Sequence, residues 1–521
     1  MAWYAHTAEN SDGARNPDRL KWQLLADHLQ QVASFSENLA PARMNEAAYW
    51  AGLLHDFGKY RVEFQDYMAG EREGSVETHH AVYGAALAFK RNWLGPAFAV
   101  AGHHAGLHDL NQLQELVRGK KYDAMNQLDP LVERFEAELK SIPNELAEPA
   151  FVKCEDKAIA EFYVRMLFSC LVDADFLDTE LFVKGGVRSP ELFNADVLMQ
   201  RLHRHCNGFE SKGELNALRK RVFELCLSTA AERPGFFSLT VPTGGGKTLS
   251  GMAFALEHAR LHGLRRVIVV IPYLSIIEQN AAEYRRVLDP EKKGIVIEHH
   301  SAVVGRDDSG EQGRSPEEMA AENWDAPIIV TTSVQFIESL FANRASKCRK
   351  LHNLANSVVV LDEVQALPVH LLNPLLHVLR DLREHYGVSF VFSTATQPAF
   401  IRTGSLPKGF EEGEVREIVT DTGELFHKLN RVKYVIRKTA SDWVGLTDEW
   451  RGELQALGVV NTRCQAHDWW SQLRSDDLEG VLHLSSALCA DHRAVVLAEA
   501  HRRLRAGEPC RLVATQVIEA G

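Results

Sequence analysis

The stretch LLHDFGKY, from Leu53 to Tyr60, places His55 and Asp56 side by side in an apolar run. Imidazole and carboxylate groups both bind metal ions, although an isolated polar pair in a helix is equally explained as a hydrogen-bonded core feature. Other apolar helical stretches carry similar groups, namely His28, His79–His80, His103–His104, and Asp173 or Asp175. Burying so many polar groups without partners would cost on the order of several kcal/mol each, so we predict that they converge on a metal.

Mixed His/Asp ligation suits Mn²⁺, Fe²⁺, Ni²⁺, Co²⁺ or Zn²⁺ and favours a site with water-filled positions for hydrolysis. Lys59 follows His55 by one turn of the predicted helix, and we predict that it binds the scissile phosphate. The alternative for Lys59 is a surface lysine. No G-x-S-x-G or Cys/His signature indicates a protein nucleophile.

A second set of residues has the chemistry of a nucleotide site. TVPTGGGKTLS, from Thr240 to Ser250, follows the apolar run FFSLTV and precedes a helical pattern. A glycine-rich loop between a strand and a helix can cradle phosphates with its backbone N–H groups. The predicted ATP-binding residues are Thr243, Gly244, Gly245, Gly246, Lys247 and Thr248, with the lysine on the β/γ-phosphates and the threonine on Mg²⁺.

An acidic pair and a hydroxyl-rich strand end follow further along the chain. Asp362 and Glu363 end the apolar run VVVLDE, where one carboxylate can hold Mg²⁺ and the other can activate the attacking water. FSTATQP, from Phe392 to Pro398, closes another predicted strand, and its hydroxyl groups could sense the nucleotide state.

The patterns predict a multidomain protein in which an all-α domain precedes α/β domains. Helical spacing of apolar residues runs from Asp18 to about Phe182. From about Asn216, short β-branched runs alternate with helical stretches, which is typical of a parallel sheet covered on both faces. A second α/β pattern starts near Leu429, with RVKYVI as its first strand-like run, and the polar segment Val303 to Asn323 predicts a surface loop.

Composition excludes several classes of protein. The 521 residues include no run of about 18 apolar residues and no secretory signal pattern, so we expect a cytoplasmic protein without membrane spans. The eight cysteines form no C-x-x-C pair. The formal charge of −12 means that any contact with nucleic acid must come from local basic patches.

PTGGGKT, LDEVQ and STATQP resemble, in order and spacing, motifs I, II and III of a superfamily 2 helicase of the DExH/D type. IPYLSIIEQN, VTTSVQF, VVNTR and VATQVIEAG resemble the motifs that track one nucleic-acid strand. The resemblance implies strand contacts at Pro272, Tyr273, Gln279, Thr332, Gln335, Asn461, Thr462, Arg463 and Thr515. Gln365 replaces the histidine of the DExH box, which leaves the coupling role of that position open.

The order H…HD…H…HH…D resembles the HD phosphohydrolase superfamily, and its fusion to a helicase is similar to the CRISPR-associated helicase-nuclease of type I systems. The spacing H-x-x-x-G-A of that family selects His80 over His79, and its Ala-Asp pair selects Asp175 over Asp173. The metal ligands that the resemblance implies are His28, His55, Asp56, His80, His103, His104 and Asp175.

The resemblance implies a nuclease that uses one or two divalent ions such as Mn²⁺, Ni²⁺, Co²⁺ or Fe²⁺ to cut single-stranded DNA, joined to a helicase that uses ATP and Mg²⁺. It also implies recruitment by the Cascade surveillance complex to degrade foreign DNA. Lys59 and Glu363 are the expected catalytic residues. Two alternatives stay open: an ATP-driven translocase whose HD module is inert or hydrolyses nucleotides, and a docking module without activity.

The expected domains are an HD nuclease domain at 1–207, a linker at 208–220, a first RecA-like lobe at 221–428 and a partial second lobe at 429–521. The last residues given, up to Gly521, lie within the resemblance to motif V, before any counterpart of the motif VI arginines. Because those arginines would complete the ATP site, we expect these residues alone to hydrolyse ATP weakly, with the nuclease domain unaffected.

Overall fold

The computed structural model describes residues 2–8, 10, 15–75, 78–153, 155–186, 191–208, 213–272, 274–300, 316–395, 400–429 and 432–520. The chain forms two compact units. The first comprises Met1–Pro272 and Ala281–Leu429, and the second comprises Tyr273–Asn280 and Asn430–Gly521. Within the described residues, no helix is both long enough and apolar enough to cross a bilayer.

A helical domain opens the first unit. Its helices are α1 Leu25–Leu39, α2 Asn45–Leu54, α3 Val62–Ala69, α4 Ala81–Lys90, α5 Leu94–Gly102, α6 Leu110–Arg118, α7 Leu128–Glu138 and α8 Lys157–Lys184. Two short strands, β1 Tyr4–His6 and β2 Gln23–Leu24, pair antiparallel beside them. Helices α1, α2, α5 and α8 pack on one another around a core of leucine, alanine and aromatic side chains.

Glycines let these helices approach closely at the point where the predicted ligands lie. A Cβ atom on Gly84 of α4 would come within 1.9 Å of the Leu54 carbonyl oxygen at the end of α2. A Cβ atom on Gly58 would come within 2.2 Å of the His80 carbonyl oxygen. Any larger residue at either position would push His80 away from the end of α2 and from the His55–Asp56 pair.

The rest of the first unit is an α/β lobe. Its strands are β3 Phe236–Thr240, β4 Arg266–Ile271, β5 Val296–His299, β6 Ile328–Thr332, β7 Ser357–Asp362, β8 Ser389–Thr394 and β9 Val415–Glu417. Its helices are α9 Ala195–Asn207, α10 Glu214–Thr229, α11 Lys247–His262, α12 Leu274–Leu288, which also enters the second unit, α13 Pro316–Asn323, α14 Ser333–Phe341, α15 Ala345–Cys348, α16 Leu372–Tyr386 and α17 Thr422–Lys428.

The described strands of this lobe form a fully parallel sheet in the order β5-β6-β4-β7-β8-β3-β9. Strands β3, β4, β6 and β8 are buried along their whole length, which explains their continuous apolar and β-branched sequences. Since β8 lies between β3 and β7, the carboxyl ends of all three meet at one edge of the sheet. This edge carries the predicted ATP-binding segments.

The two parts of the first unit share a buried interface. Asp173 of α8 is fully buried and accepts hydrogen bonds from Arg349 Nε at 2.9 Å and from Asn323 Nδ2 at 3.0 Å. Three turns earlier on α8, the ring of Phe162 lies 5.7 Å from the ring of Tyr386 in the α/β lobe. The hydrophobic core therefore continues from the helical domain into the α/β lobe.

The predicted linker is partly helical, because α10 covers its residues 214–220. Helices α9 and α10 both pack against α11 of the α/β lobe. We therefore propose that the helical domain ends after α8, at Lys184, rather than at residue 207.

The second unit contains the helices α18 Trp443–Arg451, α19 Arg463–Ser475 and α20 Ala490–Ala506. Its strands β10 Gln455–Val459, β11 Val481–Leu484 and β12 Cys510–Ala514 form a parallel sheet in the order β10-β12-β11. The structure thus confirms the predicted fold class, a helical domain followed by parallel α/β segments.

Two details differ from the sequence prediction. The predicted surface loop ends in α13, and its residues 303–315 lie outside the described residues. RVKYVI is not a strand over its described residues, where Tyr434 and Ile436 are 84% and 88% exposed. Its alternating apolar residues lack a neighbouring strand in the described structure.

We expect Arg349→Ala to lower the free energy of unfolding by about 3–5 kcal/mol, because it leaves the Asp173 carboxylate buried without its cation. Denaturant titration followed by tryptophan fluorescence measures the change. Arg260→Ala is the control, since Arg260 pairs with Glu257 at the surface of α11 and its loss should leave the midpoint unchanged. Equal midpoints for both variants would contradict the prediction.

Candidate metal centre and nucleotide site

Asp56 lies at the centre of the predicted metal site. It precedes a short 3₁₀ helix, Phe57–Tyr60, and only 2% of its surface is exposed. Its Oδ1 atom lies 3.0 Å from His80 Nε2 and 3.6 Å from His103 Nε2, and its Oδ2 atom lies 3.3 Å from His28 Nε2 and 3.4 Å from His55 Nε2. The two oxygens of one carboxylate therefore face two sets of imidazoles.

The remaining predicted ligands complete the two sets. His104 Nε2 lies 2.9 Å from His80 Nε2, and Asp175 Oδ1 lies 3.6 Å from His55 Nε2. In each set, the ligand atoms all lie within 4.8 Å of one another. One set comprises Asp56, His80, His103 and His104, and another comprises His28, His55 and Asp175. The structure thus brings all seven predicted ligands together.

The hydrogen bonds of the Nδ1 atoms show that the Nε2 atoms of these histidines carry the lone pairs. His55 Nδ1 donates to the Gly52 carbonyl oxygen at 2.7 Å, and His103 Nδ1 donates to the Val100 carbonyl oxygen at 2.7 Å. His28 Nδ1 lies 2.6 Å from Asp178 Oδ2. In neutral rings with these tautomers, each Nε2 has a lone pair directed into the cluster.

The cluster requires positive charge. His28 Nε2 and His55 Nε2 lie only 3.1 Å apart, and two lone pairs at that distance repel each other unless a cation lies beside them. Burial lowers the pKa of His55, but the carboxylates of Asp56 and Asp175 outweigh it and raise that pKa to about 10. Divalent ions would meet the same requirement, so the donor set fits them.

The ligands lie at helix ends, with two exceptions. His55 follows α2, His80 precedes α4, and His103 follows α5. His28 and Asp175 instead project from the sides of α1 and α8. Positions two apart on a helix point in nearly opposite directions, so α8 directs Asp175 to the cluster and Asp173 to the α/β lobe.

Two residues at the site were missed by the sequence analysis. Asp178 accepts a hydrogen bond from the side chain of Gln23 and also contacts His28, whose imidazole ring it orients. Asp178 follows Asp175 by three residues, and this spacing could have indicated its position at the site. His6 Nε2 is buried without a hydrogen-bond partner in the described structure, and it belongs to a third ligand set with His28 and Asp56. Burial lowers the pKa of His6 to about 3.

Lys59 is placed differently from its prediction. It lies in the 3₁₀ helix after α2 rather than on the same helix as His55, and it is only 5% exposed, so it is not a surface lysine. Its Nζ lies 2.6 Å from Asp56 Oδ2 and donates to the Ala5 carbonyl oxygen at 3.0 Å. Lys59 nevertheless lines the cavity above the cluster, which has a volume of about 580 Å³.

The nucleotide site assembles at the sheet edge. Gly244 and Gly246 adopt φ values of +84° and +87°, and α11 starts at Lys247. Lys247 Nζ lies 2.5 Å from Glu363 Oε1 and 3.4 Å from Asp362 Oδ1. The predicted phosphate-binding lysine and acidic pair are therefore adjacent, with Thr243, Gly245 and Thr248 in the same loop and helix start.

Gln365 links two of the motifs. Its side-chain amide donates to Glu363 Oε2 at 2.6 Å, and its oxygen accepts from Thr394 Oγ1 at 2.6 Å. Ser393 Oγ donates to Asp362 Oδ1 at 2.8 Å. The acidic pair is thus connected to the end of β8 without the histidine of a DExH box.

The predicted strand-contact residues lie mostly at strand ends. Thr332 caps α14 by accepting from the Gln335 backbone N–H. In the second unit, Asn461, Thr462 and Arg463 follow β10, and Thr515 follows its neighbour β12. Tyr273 lies outside the described residues.

Comparison with known proteins matches both parts of the chain. The HD domain family matches residues 25–135, and the DEAD/DEAH box helicase family matches residues 220–403. The CRISPR-associated nuclease/helicase Cas3 of Haloferax volcanii is 26% identical over 454 residues, which cover 73% of this chain and 48% of that protein. The chain therefore combines a segment similar to the HD domain family with a segment similar to the DEAD/DEAH box helicase family, and this fusion is similar to Cas3.

Other relatives agree with this assignment. A curated relative from Methanocaldococcus jannaschii is 24% identical over 305 residues, covering 54% of the fusion and 40% of that protein. The fusion thus spans about half the length of the curated relatives or less. The crystal structure of T. fusca Cas3 with ATP matches its fold with a TM-score of 0.64 and 18% identity, covering 100% of the fusion and 70% of that chain.

We expect Asp178→Ala to weaken Mn²⁺ binding by about 10- to 100-fold, because His28 loses the acceptor that orients its ring. Isothermal titration calorimetry of the purified chain measures the affinity. Glu180→Ala is the matched control, since Glu180 lies on the same helix and pairs with Lys184 instead. An unchanged affinity in Asp178→Ala would show that His28 is held without this contact.

Proposed function

We propose that the chain is a metal-dependent nuclease for single-stranded DNA, coupled to an ATP-driven helicase or translocase. We further propose that it degrades foreign DNA in CRISPR interference after recruitment by a Cascade-type surveillance complex. The observation that carries the nuclease proposal is the position of Asp56 between two sets of lone-pair donors, because these residues together would hold divalent ions that supply Lewis-acid chemistry.

Two ions in these sets would supply Lewis-acid activation of the phosphoryl group and of the attacking water. The side chains of the protein hold the geometry for this chemistry. Asp178, Gly52 and Val100 fix the imidazole rings from behind. Lys59 lies beside Asp56, where its charge favours an incoming phosphate.

Single-stranded DNA is favoured by the wall of the cavity. Phe176 lines it and is 46% exposed, and Arg349 packs over one face of its ring. Exposed aromatic rings in nucleic-acid grooves stack on unpaired bases. An unpaired strand therefore suits this cavity better than a duplex.

Recruitment is supported by a structural neighbour. A chain of a CRISPR RNA-guided surveillance complex in a pre-nicking state matches the fold with a TM-score of 0.56 at 17% identity, covering 100% of this chain and 68% of that one. If this chain engages such a complex in the same way, base pairing by the guide RNA would supply sequence specificity.

The nuclease proposal predicts cleavage of circular single-stranded DNA by the purified chain with Mn²⁺ or Ni²⁺ and without ATP. His80→Ala should lower the rate by at least about 100-fold, because even an outer-shell contact is worth 10- to 100-fold. Gel electrophoresis of the circles measures the rate.

The adjacent His79 provides the control, since it is exposed and packs on Tyr122 outside the cluster. The His79→Ala variant should cleave the circular DNA at the same rate as the parent protein. Intact circles with the metal-loaded parent would exclude the nuclease proposal and favour a translocase with an inert HD module.

For the helicase part, Lys247→Ala should weaken binding of a fluorescent ATP analogue by about tenfold or more, because a charge-assisted contact to phosphate is lost. Cleavage of circles without ATP should be unchanged. Lys220→Ala is the control, since Lys220 pairs with Glu224 on the surface of α10. Parent-like binding by the Lys247 variant would contradict this assignment.

A further inference from the structure

The cavity above the metal cluster has one wall that does not come from the helical domain. Arg344, Ala345 and Ser346, at the start of α15 in the helicase lobe, line it together with Asp56, His103, His104 and Asp175. Part of the lining of this cavity is therefore formed by the helicase lobe.

This wall is held in place by contacts to backbone carbonyl oxygens. The Leu107 N–H, three residues after His104, donates to the Asn343 carbonyl oxygen at 2.8 Å. Gly106 has a φ value of +91°, and a Cβ atom there would lie 2.8 Å from the same carbonyl oxygen. Arg165 of α8 donates to the Ala342 carbonyl oxygen. The backbone leading into Arg344 is thus fixed relative to the metal ligands.

The charges around the cavity single out Arg344. Among the described residues that line it, the basic side chains of lysine or arginine are Lys59 and Arg344. Lys59 is buried and paired with Asp56. Arg344 is exposed, and no carboxylate pairs with it among the described residues. Its neighbours are already engaged, since Lys347 pairs with Glu338 and Arg349 pairs with Asp173.

We propose that Arg344 binds the backbone phosphate next to the scissile one, so that the helicase lobe supplies part of the substrate site of the nuclease. A guanidinium group suits this contact because it donates two parallel hydrogen bonds to a phosphate. The proposal rests on the nuclease function proposed above and adds a substrate-binding residue from the second domain to it.

The test compares Arg344→Ala with the parent on two substrates, a labelled single-stranded oligonucleotide and bis(p-nitrophenyl) phosphate, both with Mn²⁺ and without ATP. With the oligonucleotide, we expect KM to rise about tenfold and kcat to stay unchanged. The salt dependence of log KM should fall in slope by about 0.7, as for the loss of one phosphate contact. The small substrate has no flanking phosphate, so its hydrolysis should be unchanged.

Two further variants define the contact. Arg344→Lys should give an intermediate KM, because it keeps the charge but loses the paired hydrogen bonds. Lys347→Ala is the matched control, because it removes a nearby positive charge that does not line the cavity, and its KM should equal that of the parent.

The outcomes separate this inference from the proposed function. A parent that cleaves both substrates and an Arg344→Ala variant with the same KM would overturn the inference and leave the nuclease standing. An equal rise in KM in Lys347→Ala would also overturn it, because the effect would then be one of general surface charge. A parent that cleaves neither substrate would overturn the nuclease and the inference together.

Discussion

The Asp56 carboxylate is buried between imidazole nitrogens whose lone pairs point at it and at one another, and this arrangement is stable only with positive charge among them. Several features of the helical domain hold this cluster together. Helix ends carry most of the predicted ligands, backbone carbonyls and Asp178 fix the rings from outside, and Gly58 and Gly84 allow the close approach. A divalent ion at the site would thus stabilise the fold.

Helix α8 joins the metal site to the helicase lobe. One face presents Asp175 and Asp178 to the cluster, and the opposite face buries Asp173 against Arg349. The hydrophobic core runs through this helix into the α/β lobe without a break. Helix α8 thus contacts both the predicted metal ligands and the helicase lobe.

The nucleotide site relies on the order of the strands. Because β8 lies between β3 and β7, Ser393 and Thr394 reach the acidic pair directly and through Gln365. An amide can donate and accept at the same time, and this allows Gln365 to join Glu363 to Thr394 in place of a histidine. The variant motif therefore keeps a connection between the carboxylates and the end of β8.

The sequence by itself determined the fold class, because periodicity is a local property of the chain, and its motifs and family resemblance predicted the metal-ligand set and the phosphate-binding loop. It did not determine the surroundings of Lys59, which depend on where α2 ends, or the role of Asp173, which depends on the lobe that packs against α8. His6 and Arg344 carry no local signal at all. They reach the cavity only because β1 and the start of α15 pack around it, and only tertiary structure decides which distant segments meet.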